Sequence, residues 1–120
     1  MNYISTRGEA PILGFDAAVL AGLARDGGLY VPETWPQLDR ADFATLARLS
    51  YAELAARIMA PFAGPHVSEA ELAMLCDDAY RGFDAHPDPA PLRRLDDGLH
   101  LLELFHGPTL AFKDFAMQLI

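Results

Sequence analysis

Beside eight arginines the chain carries one lysine, Lys113, in the run Phe105-His106-Gly107-Pro108-Thr109-Leu110-Ala111-Phe112-Lys113-Asp114. The two cation types differ in chemistry: a guanidinium stays protonated and binds, whereas an ε-amine can shed its proton, attack a carbonyl carbon and form an imine. A single lysine is by itself more often a solvated helix residue than a nucleophile, so its neighbours decide the reading. Upstream, Leu99 to Phe105 is nearly all apolar and only seven residues long, which suits a buried strand. Gly107-Pro108 breaks that strand, and Thr109 is placed to cap a helix that turns Phe112, Phe115, Ala116 and Leu119 inward, with Lys113 in its first turns. Strand, sharp turn and helix start together present a side chain at the carboxyl end of a sheet.

Other chemistry-bearing residues form no comparable group. Cys76 is the only thiol, which excludes an internal disulfide and a Cys-x-x-Cys site and leaves core packing as its role. Asp77-Asp78 are neighbours in a helix and diverge, and Asp96-Asp97-Gly98 is a turn signal. His66, His86 and His100 have no Cys, Asp or Glu partners at ligand spacing, so no metal is expected.

With 52% hydrophobic and 22% charged residues the composition is that of a globular protein, and 120 residues suit one small core. A net charge of −8 and a pI near 4.7 repel phosphate backbones, and only Arg93-Arg94 are adjacent among the arginines; nucleic acid is not an expected partner. No apolar run approaches the roughly 20 residues of a membrane span, and Met1 to Arg7 lacks a basic cluster followed by an apolar core, so a cytoplasmic protein is expected. An anionic substrate would need positive charge concentrated locally.

Around this segment the chain predicts a helix-rich α+β domain with few short strands. Phe15, Val19 and Leu23 mark a short amphipathic helix ended by Asp26-Gly27-Gly28, and Leu29-Tyr30-Val31 a strand. Trp35 lies in a loop between Pro32 and Pro36, where it covers the core edge. Ser50-Tyr51-Ala52-Glu53 and Ser68-Glu69-Ala70-Glu71 are capping boxes that open two helices. The first turns Tyr51, Leu54 and Ile58 to one face until Pro61 stops it; the second groups Leu72, Leu75, Cys76 and Ala79 before Gly82. The Pro-rich run His86 to Pro91 is the best internal boundary, dividing residues 1–90 from 91–120. The last helix runs into Met117-Gln118-Leu119-Ile120 without a capping glycine or polar tail, as expected of the opening part of a longer protein.

Three segments together resemble the threonine synthase family: Tyr3-Ile4-Ser5-Thr6-Arg7-Gly8, Asp26-Gly27-Gly28-Leu29-Tyr30-Val31-Pro32, and Leu102 through Gln118 with His106-Gly107-Pro108-Thr109, Ala111-Phe112-Lys113-Asp114 and Gln118 in register. The likeness spans the whole chain. It implies that Lys113 carries pyridoxal 5′-phosphate as an imine and then moves protons while O-phospho-L-homoserine and water become L-threonine and phosphate. It further implies cofactor-site places for His106 in the pocket wall, Thr109 near the cofactor and Asp114 orienting the helix or its neighbour, and residues 91–120 as the first strand, turn and helix of a larger α/β enzyme of fold type II. Arg7 is left outside the candidate set. The loops that would hold the substrate carboxylate and cofactor phosphate lie beyond Ile120, so residues 1–120 alone are expected to be inactive. Two other readings compete: a serine/threonine dehydratase-like or tryptophan synthase β-like enzyme, and a non-catalytic helical docking module with an incidental lysine. The oligomeric state is not legible in the sequence.

Overall fold

A computed structural model describes residues 1–120, in which β1 (Tyr3–Ser5), α1 (Phe15–Ala21), β2 (Tyr30–Pro32), α2 (Arg40–Leu46), α3 (Tyr51–Ala63), α4 (Glu69–Tyr80), β3 (Leu92–Asp96), β4 (Leu99–Leu102) and α5 (Asp114–Met117) follow in order. Both capping boxes form. Ser50 accepts from the Glu53 N–H while Glu53 accepts from the Ser50 N–H, and Ser68 and Glu71 do the same, so each helix begins with its free donors satisfied. The two helices pack against each other through Ala56, Ala63, Leu72 and Cys76, with Phe15 and Leu119 closing on the outside. Small alanines on α3 let α4 approach closely, and the Cys76 side chain is wholly enclosed, the packing role its solitary position implied.

Several local expectations give way to packing. Pro61 does not stop α3; it lies inside it. Proline lacks the N–H that would have met the Arg57 carbonyl, but burial of Ala63 against α4 holds the next turn in place. α1 ends at Ala21, capped by Gly22, so Leu23 falls outside it and pairs with Leu29 in an isolated bridge; Val19 and Leu23 remain exposed. On α4, Leu72 and Cys76 are buried but Leu75 is half exposed. Trp35 meets Phe62 edge-on at 6.1 Å, yet most of its surface is open. α2, with Asp39 and Asp42 in a capping box of its own, and strand β1 were not among the elements predicted.

β1 and β2 pair antiparallel, Ile4 opposite Val31. Asp26 clamps this small sheet: Oδ1 accepts from the Ser5 hydroxyl at 2.8 Å and the Gly28 N–H at 2.9 Å, and Oδ2 from the Glu9 N–H at 3.0 Å. Desolvation alone would raise the Asp26 pKa, but the donors of Gly28, Ser5 and Glu9 outweigh it and hold the carboxyl below its usual range. A side chain at position 28 has no room, since a Cβ there would lie 2.3 Å from Ser5 Oγ. Two of the three segments that resemble the family thus meet as one clasp, and Tyr3 carries it to the helices by donating its hydroxyl to the Phe62 carbonyl at 2.8 Å.

The C-terminal third departs furthest from expectation. Asp96-Asp97-Gly98 does make a turn, but it joins β4 to β3, a strand that was not predicted, in a two-stranded hairpin. Leu99–Leu102 is exposed rather than buried, Leu99 at 55%, and the strand stops short of Phe105. Two strands alone cover neither face, so an apolar strand with no third layer stays open to solvent. The segment is nonetheless anchored: Phe115 of α5 packs on Phe83 at 4.9 Å, and Tyr80, itself edge-on to Tyr51 at 4.9 Å, donates its hydroxyl to the Phe115 carbonyl at 3.0 Å. Burial, with Tyr51 and Cys76 adding to it, pushes the Tyr80 hydroxyl up to about 12, so it remains a donor at any physiological pH.

Candidate active site

Residues 107–113 form a run of turns between β4 and α5, closed by one carboxylate. Asp114, only 2% exposed, accepts the Thr109 N–H through Oδ2 at 2.8 Å and the Thr109 hydroxyl through Oδ1 at 2.7 Å. The Thr109 hydroxyl is the main reason that the Asp114 carboxyl titrates below its ordinary range; desolvation opposes it and the Thr109 and Ala111 N–H groups add to it. Thr109 therefore does not cap the helix. Its hydroxyl is drawn to Asp114, and α5 begins four residues later than a Thr109 cap would have placed it. Gly107 is required at close quarters, because a Cβ there would meet Asp114 Oδ2 at 2.5 Å. Leu110 takes a left-handed conformation, φ 60°, which folds the turn back on itself.

Lys113 stands at the N-cap position of α5, not in its first turns as expected. The side chain is exposed, its Nζ lies 4.7 Å from the centre of the Phe112 ring, and it takes part in none of the ion pairs. An amine beside an aromatic face and without a carboxylate partner is open to a carbonyl reagent in a way that a salt-bridged lysine is not.

His106 enters the turn from the other side, with Nε2 2.7 Å from Glu103 Oε2. That hydrogen bond is the largest cause lowering the Glu103 pKa; desolvation opposes it, and Arg93, at 3.6 Å from Oε1, together with His106 and His86 reinforces it. The His86 ring sits 5.2 Å from that of His106, and its Nε2 lies 3.5 Å from the Arg93 guanidinium. The structure thus gathers His106, Thr109, Lys113 and Asp114 along one turn. It adds Glu103, Arg93 and His86, which sequence reasoning passed over. The available signal was a single carboxylate inside an apolar run, three residues before a histidine. Arg7 is engaged in the clasp, donating to the Asp26 carbonyl at 3.1 Å.

Helix pair, clasped sheet and amine-bearing turn define a small mixed helix-and-strand domain with one carbonyl-reactive candidate. Residues 2–80 match the family model for the threonine synthase N terminus, and the chain belongs to that family. It is 52% identical over its full length to threonine synthase of Pseudomonas aeruginosa, covering 25% of that protein, and 43% identical to threonine synthase of Schizosaccharomyces pombe, covering 23%. Its fold matches the crystal structure of pyridoxal phosphate-bound threonine synthase from Brucella melitensis with a TM-score of 0.93 at 50% identity, over 99% of this chain and 25% of that one. The chain therefore spans about a quarter of the relatives it resembles.

Proposed function

We propose that residues 1–120 act as the opening part of a threonine synthase, with residues 1–90 as an N-terminal domain and 91–120 as the first strand, turn and helix of the cofactor domain. The reaction is the conversion of O-phospho-L-homoserine and water to L-threonine and phosphate. The observation that carries the reading is the exposed, unpaired Lys113 on a turn that Asp114 and Thr109 hold shut, within a family whose Brucella melitensis relative is described as pyridoxal phosphate-bound. The donor set fits that cofactor: one primary amine to bond its aldehyde carbon, and a neighbouring face of Phe112.

When bound, pyridoxal phosphate supplies an electron sink for charge developing at the substrate Cα. Lys113 holds the cofactor through Nζ and, once released by the substrate amine, takes the Cα proton on the same atom. Arginine could do neither step, since it does not give up its proton. Asp114 and Thr109 keep the backbone before Lys113 in one conformation, so the amine returns to the same place in each cycle.

The experiment compares full-length wild-type enzyme with Lys113→Ala. Borohydride treatment of the wild type should fix a cofactor-sized mass on the peptide containing Lys113, phosphate should be released from O-phospho-L-homoserine, and the variant should lose at least about a thousand-fold in turnover. A labelled peptide elsewhere would refute the lysine assignment. Activity on serine or threonine without phosphate release would favour the dehydratase-like reading, and unaltered function in Lys113→Ala would favour a docking module.

A further inference from the structure

Glu103 and His106 are each largely enclosed, their side chains 15% and 14% exposed, in the least covered third of the molecule. Each Glu103 oxygen has its own partner, His106 on Oε2 and Arg93 on Oε1, and its backbone N–H donates to the Pro91 carbonyl at 3.0 Å. The carboxylate is thus built into the end of the hairpin, and His86 backs the His106 ring from the Pro-rich connector. His106 immediately precedes Gly107, the residue pressed against Asp114. The turn that bears Lys113 is therefore held at both ends by a carboxylate, Asp114 at the downstream end and Glu103, through His106, at the upstream end.

We propose that Glu103 is a positioning residue of the lysine site: it fixes the His106 ring, and through that ring the approach of the turn that presents Lys113, with Arg93 steadying its second oxygen. The proposal rests on the reading of Lys113 given above. Glu103 touches neither cofactor nor substrate in this account; His106 forms the wall against which the turn is set. A bond to one imidazole nitrogen also selects which nitrogen carries the proton, so the charge of Glu103 matters as well as its shape.

The test uses full-length enzyme carrying Glu103→Gln, His106→Gln and both. Glutamine matches glutamate in shape, but its NH2 cannot accept, so it cannot serve Arg93 and a His106 donor together. Each single variant should lower kcat about ten-fold with KM within about three-fold, as partner groups behind a reactive residue commonly do. Each should also lose bound pyridoxal phosphate faster on dialysis, a readout independent of turnover. The double variant should lose no more than His106→Gln alone, because Glu103 acts through His106. Losses that multiply in the double variant, or a folded Glu103→Gln enzyme equal to wild type in turnover and cofactor retention, overturn the proposal. Should the glutamine variant not fold, Glu103→Asp, which keeps the charge but draws it back by one methylene, is held to the same pattern and the same refutation. Failure of the lysine reading shows separately, as wild-type enzyme that retains no cofactor, and it would take the proposal with it.

Discussion

At Asp114 both donors come from one residue, the N–H and hydroxyl of Thr109, and this pairing sets how the turn responds to pH. The folded-state pKa of Asp114 is lowered, so the clamp is fully present above the ordinary aspartate value of about 4 and is lost only as pH falls through the lower folded value. Hydrogen exchange at the Thr109 amide should stay slow from neutral pH down through that range and become fast below it, once the intrinsic pH dependence of exchange is allowed for. Asp114→Asn should show fast exchange at every pH, because an amide has one accepting oxygen where the carboxylate uses two. Slow exchange in the variant would mean that the clamp does not close the turn. Thr109 shows where sequence reasoning stopped: threonine before an apolar run is a good cap, and only the proximity of a buried carboxylate five residues on redirects its hydroxyl.

The two serine-capped helix starts were the most legible features, because each of these boxes is complete within four residues and needs nothing from elsewhere in the chain. Ser50→Ala and Ser68→Ala should each cost about 1 kcal/mol in urea unfolding of the full-length enzyme, the usual size for a lost serine cap. Indistinguishable midpoints for both would show that the caps contribute nothing to the helix pair. Helix ends were less legible. Pro61 breaks a helix only when nothing holds the next turn, and here Ala63 does. The exposed β3–β4 hairpin is the same lesson for strands: the apolar run was read correctly as a strand, but its burial depends on what lies over it.

For the molecule as a whole, surface area measures how much is left uncovered. The chain exposes 8470 Å², where a compact monomer of this mass exposes about 6,400 Å². Its radius of gyration is 16.3 Å against about 14 Å for a compact domain of this length. Only 15 of 120 residues are buried, and an open apolar groove of about 440 Å³ runs between Phe15, Met59, Leu72 and Leu119. Residues 1–120 expressed alone should therefore melt broadly and below the full-length enzyme by circular dichroism, and should release no phosphate from O-phospho-L-homoserine. A sharp melt at the full-length temperature, or detectable turnover, would contradict the part-enzyme reading. No helix is long and apolar enough to cross a membrane.

Sequence by itself determined what is settled within a few residues: both boxed helix starts, the Asp96-Asp97-Gly98 turn, the packing fate of Cys76, and the single amine with the family-like segments around it. These follow from short-range donors, turn chemistry and residue type, which travel with the chain whatever its neighbours do. Tertiary structure decided the rest, namely the Asp26 clasp between two distant segments, the late start of α5, the exposure of β4, and the grouping of His86, Arg93 and Glu103 around His106. Each of these depends on which buried group lies within hydrogen-bonding reach or which surface finds a cover, and such distances across the fold are not encoded in local spacing.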